Sequence, residues 1–362
     1  MTARRFHALS IAGALALAGC QAEPAPQATG NDTPSEGAHE ASVQGVAPRA
    51  RSAASTPTEL RGFERVLPWG EGHEAVGWRA PAEDFVGDGP SGIAVRADGA
   101  VLLADRLRQR LLEIDANGVR ELGAIPEDAT TIALSESGKI ALYSARRSLV
   151  WIHEPSGELA AELVLPRIVG DVVRIGFDAH ERVYAETTLQ SRFTIGSASA
   201  PLDEASVLRS MQPGVATSSS ERTLTTLRES DGKCFLVESA KRGERLEELR
   251  RLAVAFDAAS LRLVGLEQDR ALTLVERTRD GAPSGEGTPM MVDSELVLVS
   301  LDSGRLLGKR SLPARGLWSP RQAMAMGSGH VAWMRPEADG LRVVSMPLRS
   351  LGTGSLENGG AK

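Results

Sequence analysis

Cysteine is nearly absent from this chain. Cys20 and Cys234 are the only two in 362 residues, so no disulfide framework is available and stability has to come from packing. Aromatic rings are scarce too, with five Trp, two Tyr and seven Phe, which argues against a sugar site built on stacked rings. Lysine is a third shortage, five against 36 arginines. The formal charge is −6 and no basic block occurs, so nucleic acid and anionic lipid are poor partners. No segment stays apolar for the roughly 20 residues that a membrane-spanning helix needs. The six histidines, His7, His39, His73, His153, His180 and His330, never fall in a His-x-His or His-Glu-x-x-His spacing. A zinc site is therefore not indicated, and no cofactor is expected. Neither a Gly-x-Ser-x-Gly elbow nor a P-loop occurs, so no specific catalytic constellation is in view.

What is present starts at the N-terminus. Arg4 and Arg5 precede a short apolar stretch, Ala8 to Ala18, that runs into Leu17-Ala18-Gly19-Cys20. This is the layout of an export signal, too short for a good transmembrane anchor. Leu-Ala-Gly-Cys resembles the lipobox of bacterial lipoproteins. The resemblance implies a signal peptide over 1–19 and a diacylglyceryl thioether on Cys20. Gln21, rather than Asp, resembles the sorting pattern for the outer membrane, so a lipid anchor facing the periplasm is the expected location. Each buried methylene contributes about 0.8 kcal/mol and one chain holds only marginally, so several chains are needed for a lasting anchor. Residues 20–58 follow as a lipidated cysteine and a flexible tether. From 21 onward they hold no aromatic residue, and Val43 and Val46 are their only large aliphatic ones. Such a segment cannot bury enough apolar surface to offset its ordering entropy, and its reach is on the order of 35 Å.

The remainder repeats. Ile93-Ala94-Val95-Arg96-Ala97-Asp98-Gly99 aligns with Ile132-Ala133-Leu134-Ser135-Glu136-Ser137-Gly138 at an offset of 39 residues. Val101–Ala104 then matches Ile140–Tyr143, and Asn117-Gly118 matches Ser156-Gly157. Each copy reads strand, glycine turn, strand, polar loop, strand, glycine turn, as tight hairpins with positive φ require. Weaker copies begin at Ile175–Asp178 with Val183–Ala185, at Leu227–Gly232 with Cys234–Val237, at Val264–Leu266 with Leu272–Val275, and at Met324–Gly329 with Val331–Met334. Repeats of about 40–50 residues built of four short strands signal an all-β propeller. Six four-stranded blades over 59–351 are expected, with innermost strands near Ile93, Ile132 and Ile175. The segment Phe63–Leu67 is expected to close the ring beside Leu341–Met346, and 352–362 to form a disordered tail.

The first copy resembles an NHL repeat, through Gly89-Pro90-Ser91-Gly92-Ile93-Ala94-Val95, Asp98-Gly99, Ala104-Asp105, Gln109-Arg110-Leu111 and Ile114-Asp115. The resemblance implies blades around a central channel and says little about function, because propellers host many tasks. Three stretches fit less well. Gly196–Glu221 reads as a wrapping or disordered loop, Arg242–Leu252 as a short helix or an irregular outer strand, and Asp280–Thr288 as an extended loop. Cys234 lies in an apolar run and reads as a small buried hydrophobe.

Lactonases of the gluconolactonase-like family hold a divalent cation in the channel through Glu, Asn and Asp. This chain has only Asn31, Asn117 and Asn358, two in the expected flexible ends and one in a hairpin turn, which speaks against that reading. Asp178 and Glu186 are acidic candidates that read first as a turn former and a solvated strand residue. The loop after each blade's second strand should lie on one face of the disk. It carries Arg106, Arg108, Arg146 and Arg147, with Arg277 and Arg335 from the later units. Such a ring would suit carboxylate or phosphate groups, although arginine is also this chain's ordinary surface cation. Trp69 and Trp78 read as a plug at one end of the propeller or as the cap of a binding mouth. The expected protein is a cell-envelope lipoprotein acting without catalysis, a binding or interaction module for an envelope protein or a small exported ligand. The alternatives are a propeller hydrolase or lyase with its site at the central channel, and an architectural subunit.

Overall fold

The computed structural model describes residues 62–351, apart from 82–86, 217–221, 243–244, 256–257, 279–291 and 314–319. Cys20, the tether, Asp280–Thr288 and the tail from 352 lie outside the described residues. The described chain opens with strand β1 (Phe63–Pro68) and then lays down antiparallel meanders in sequence order. Blade 1 is β2 (Gly92–Val95), β3 (Val101–Asp105), β4 (Arg110–Ile114) and β5 (Val119–Ala124). Blade 2 is β6 (Ala129–Leu134), β7 (Ile140–Ser144), β8 (Leu149–His153) and β9 (Leu159–Val164). Blade 3 is β10 (Val172–Phe177), β11 (Val183–Thr187), β12 (Ser191–Gly196) and β13 (Gln212–Pro213). Blade 4 is β14 (Val215–Ala216), β15 (Arg222–Arg228), β16 (Cys234–Arg242) and β17 (Arg245–Ala255). Blade 5 is β18 (Ser260–Glu267), β19 (Arg270–Thr278), β20 (Val292–Ser300) and β21 (Leu306–Leu312). Blade 6 is β22 (Met324–Gly327), β23 (His330–Pro336), β24 (Gly340–Pro347) and, on its outer edge, β1. Six four-stranded sheets in this order make a six-bladed β-propeller.

Ring closure follows the expected pairing. β1 runs antiparallel to β24, from Phe63 opposite Ser345 to Pro68 opposite Gly340, so the start and end of the described chain share one sheet. The inner strands β22, β2, β6 and β10 pack one against the next around the channel. Turn chemistry explains the regular units. Gly99 and Gly138 sit at φ of 87° and 92° in the first hairpins of blades 1 and 2. Glu181 takes the equivalent place in blade 3 at φ 57°, so the missing glycine is replaced by a strained residue and the turn is kept.

The irregular stretches resolve differently from expectation. Gly196–Glu221 is not a plain loop among its described residues: it carries helix α1 (Glu204–Arg209), whose Asp203 side chain accepts the Ser206 N–H at 2.7 Å, and the short strands β13 and β14. Arg242–Leu252 is strand: Arg242 ends β16, and the stretch from Arg245 belongs to β17, eleven residues long. Leu227–Gly232 with Cys234–Val237 is not the first hairpin of blade 4 but joins its second and third strands. The true first strand, β14, is two residues long, so the repeat has little to show in sequence there. Cys234 is fully buried, and burial pushes its thiol above the ordinary range.

Apolar packing sits between blades. Five clusters of buried side chains fill the seams 6/1, 1/2, 2/3, 4/5 and 5/6. Among the described residues no such cluster fills the seam between blades 3 and 4. Leu67 shows how the others work: it is 1% exposed and joins Leu103, Leu112, Leu341 and Val343 across the closing seam. Truncating it leaves a cavity there, so Leu67→Ala is expected to lower unfolding free energy by about 3 kcal/mol. Urea denaturation checks this, and a loss under about 0.5 kcal/mol would mean that β1 does not hold the ring.

Candidate functional site

Strand alternation puts one kind of side chain on each face of blade 3. Ile175, Ala185 and Phe193 turn towards blade 2 and join its apolar cluster. The alternate residues Arg174, Glu186 and Arg192 are register partners in one row and turn towards blade 4. Arg174 Nε donates to Glu186 Oε2 at 2.8 Å, and Arg174 also donates to the Val264 carbonyl of blade 5. The Arg192 guanidinium lies over the Tyr184 ring, 3.7 Å from its centroid. Burial pushes the Tyr184 hydroxyl upward. Across the seam, β15 presents Thr223 and Thr225, and the Thr223 hydroxyl has no partner among the described residues. This seam is polar where the other five are apolar, and its inner end is bounded by the shortest first strand.

A cavity of about 380 Å³ opens at that place. Blade 3 contributes Arg174, Glu186 and Gln190, blade 5 contributes Arg262 and Glu276, and the connector into blade 6 contributes Arg321 and Gln322. Apolar wall comes from Leu224, Leu261, Val264 and Met324. The Ser260 hydroxyl donates to Glu276 Oε2 at 2.6 Å, and Arg321 is paired with Asp171 of the connector from blade 2 to blade 3. Gln190 and Thr226 exchange hydrogen bonds that tie the blade 3 turn to blade 4. Glu186 is 8% exposed, and its Oε1 has no donor among the described residues. It is therefore not the solvated strand residue expected, whereas Asp178 is a turn former that accepts the N–H groups of His180 and Arg182.

Gln322 forms the opposite side of the channel. Its amide Nε2 donates to the carbonyls of Ile93 and Ile132, both at 2.9 Å, and its Oε1 accepts the Ile132 N–H at 2.9 Å. One carboxamide thus ties blade 6's lead-in to the inner strands of blades 1 and 2. Gly92 lies against it, and a Cβ there would come 3.1 Å from the Gln322 oxygen. A single glutamine far from its partners in sequence gives no pattern to read, and this residue was not anticipated.

All six arginines singled out from sequence stand on one face, at the ends of second strands or in the turns beyond them. Arg277 and Arg335 lie within β19 and β23 rather than in loops. Arg106 pairs with Asp88, Arg147 with Asp128 at 2.9 Å, Arg277 with Glu295 at 3.3 Å and Arg335 with Glu337. Hydrogen bonds from Arg342 and Arg335 hold the Glu337 carboxyl below the ordinary carboxylate range. Arg108 donates to four backbone carbonyls, those of Gly70, Glu71, Gly72 and Ala75, and so clamps the segment leading into blade 1. Arg146 is exposed, with no carboxylate partner among the described residues. Trp69 and Trp78 stack with centroids 4.8 Å apart, Trp69 donates to the Glu337 carbonyl at 2.9 Å, and its ring packs on the closing cluster. Trp69 thus packs at the seam between blades 6 and 1. Among the described residues no group of three His, Cys, Asp or Glu is placed to hold a metal ion, and no helix is long and apolar enough to cross a membrane.

No family model and no curated protein matches the chain. Solved structures of similar shape include hydrazine synthase from Kuenenia stuttgartiensis, at 11% identity over 68% of this chain and 76% of that one, with a TM-score of 0.42. Virginiamycin B lyase from Staphylococcus aureus is similar at 10% identity over 79% of this chain and 99% of that one, with a TM-score of 0.41. BamB from Moraxella catarrhalis is similar at 8% identity over 71% and 83%, with a TM-score of 0.33. Likenesses this distant leave the function to be argued from the chain's own residues.

The Gln322 contacts carry a stability forecast. Gln322→Leu keeps the volume but leaves two buried carbonyls and one N–H without their partner. A loss of about 2 kcal/mol in urea unfolding is expected, and an unchanged midpoint would show that the channel does not rely on this amide.

Proposed function

We propose that the protein is a lipid-anchored component of the cell envelope, tethered through Cys20 to the outer membrane on its periplasmic side. In this reading the propeller acts as a non-catalytic binding module. The observation that carries it is the polar seam between blades 3 and 4, with a cavity at its inner end on the face that bears the second-strand turns. A pocket of a few hundred Å³ with apolar walls and a few fixed polar groups suits a small molecule or one protruding side chain. Its charged groups are engaged with one another, Arg174 with Glu186 and Arg321 with Asp171, as in a preorganised recognition site. The ligand is then a small exported molecule or part of an envelope protein.

Two measurements test this reading. Cys20→Ser is expected to move the protein from the membrane fraction to the soluble envelope fraction, because this reading places the anchor on Cys20 alone. A photo-crosslinking residue at the exposed Arg262 position is expected to give a discrete adduct in intact cells, and one at Leu307 none. Full membrane retention of Cys20→Ser would overturn the anchor, and silence at position 262 would overturn the cavity.

One observation favours a second reading, a hydrolase or lyase working from the channel. Glu186 Oε1 is a buried carboxylate oxygen beside the cavity with no donor among the described residues, and a carboxylate so placed could serve as a general base. A turnover activity abolished by Glu186→Gln, with binding retained, would establish it.

A further inference from the structure

Three loops on the same face form one continuous strip. The turn after β7 (Ala145–Ser148) is tied to the blade 2–3 connector by the Leu165 N–H, which donates to the Ser148 carbonyl at 2.8 Å. That connector is tied to the turn after β11 by the Thr188 N–H, which donates to the Asp171 carbonyl at 3.0 Å. Backbone hydrogen bonds therefore hold the strip as a unit. The turn after β11 also reaches the cavity through Gln190.

The strip holds the three most exposed large aliphatic side chains among the described residues, Leu189 at 86%, Ile168 at 76% and Val164 at 69%. Single exposed aliphatics are ordinary. Val164 at the end of β9, Ile168 in the connector that follows it and Leu189 in the turn bonded to that connector are not scattered singly. The same loops carry Arg146 and Arg167, both exposed and without a carboxylate partner among the described residues. Their neighbour Arg147 is neutralised by Asp128. The result is a group of exposed aliphatic side chains accompanied by two guanidinium groups that no carboxylate among the described residues pairs with.

We propose that this strip is a docking surface for an acidic, aliphatic segment of another envelope protein. Its carboxylates would meet Arg146 and Arg167, and its aliphatic side chains would cover Val164, Ile168 and Leu189. Charge complementarity selects the partner: arginine's planar fork pairs two-pronged with carboxylate, and the aliphatic ridge supplies the area that is removed from water. A bilayer of anionic lipid is disfavoured, because the chain carries a formal charge of −6 and exposes Glu127 and Asp171 on the same face. The proposal rests on the turn-bearing face being the working face, and it names the partner's chemistry there.

The test uses the full-length protein in neutral detergent micelles and fluorescence anisotropy with four labelled peptides: acidic–aliphatic, acidic–polar, basic–aliphatic and neutral–aliphatic. A parallel arm measures flotation with phosphatidylglycerol vesicles and phosphatidylcholine vesicles. The acidic–aliphatic peptide is expected to bind most tightly, with affinity falling as salt rises. Arg146→Glu with Arg167→Glu is expected to weaken it about tenfold or more, and Ile168→Ser with Leu189→Ser likewise. Leu246→Ser, an equally apolar change on the blade 4 hairpin, is expected to leave it unchanged. Equal binding of all four peptides, binding indifferent to the strip variants, or strip-dependent flotation with phosphatidylglycerol alone would each overturn the proposal. Indifference to the strip variants together with an adduct from position 262 would remove the strip and leave the cavity reading standing.

Discussion

Closure of the sheet ring governs this molecule. A propeller blade is a small twisted sheet that cannot bury both faces alone, so each needs a neighbour on either side. The circle is completed when β1 pairs with β24, a contact between residues nearly 280 apart in sequence, as in the ion pair of Arg342 with Glu64. Without that pairing β24 would present an open strand edge, with its backbone groups free to pair with another chain. Gln322 then secures the interior of the circle, where the inner strands of blades 1 and 2 meet the lead-in to blade 6. These two contacts join blade 6 to β1 and to the inner strands of blades 1 and 2.

Given a closed circle, composition of the seams decides where function can sit. An apolar seam is filled by close-packed side chains and leaves no room. The seam between blades 3 and 4 is lined instead by Arg174, Glu186 and Arg192 on one side and threonines on the other. Polar groups need partners in fixed directions and do not interdigitate to fill space as aliphatic chains do. A short first strand in blade 4 adds to the effect. The cavity is therefore a consequence of which residues face the seam.

The ring was legible in the sequence because its carriers are local. Gly99 and Gly138 mark hairpins, and alternating aliphatic residues flank them; Phe63–Leu67 has the pattern of a strand and only one place to go. Blade 4 was misread by one strand because β14 has too few residues to carry a period. The position of the arginines at the ends of second strands follows from turn position in a repeat. Their partners were hidden: Arg108 meets backbone carbonyls from the segment before blade 1, and Arg106 meets Asp88, and neither pairing leaves a signature in spacing. Glu186 was noticed but assigned to solvent, because alternation alone cannot say that a seam is polar and closed over.

The proposed placement of recognition at the polar seam has a physical logic. The five apolar clusters supply the packing that keeps the disk folded, and a binding site cut into any of them would remove buried area at about 25 cal/mol per Å². At the 3/4 seam the wall is already polar, so a site there forfeits little. The same argument extends to the strip on blades 2 and 3. Its aliphatic side chains stand outside every cluster and contribute nothing to the core, so their exposure carries a cost in solubility with no return in stability. Residues of that kind are compatible with a stable fold and gain stabilisation only when a second surface covers them, which is the physical condition of an interface.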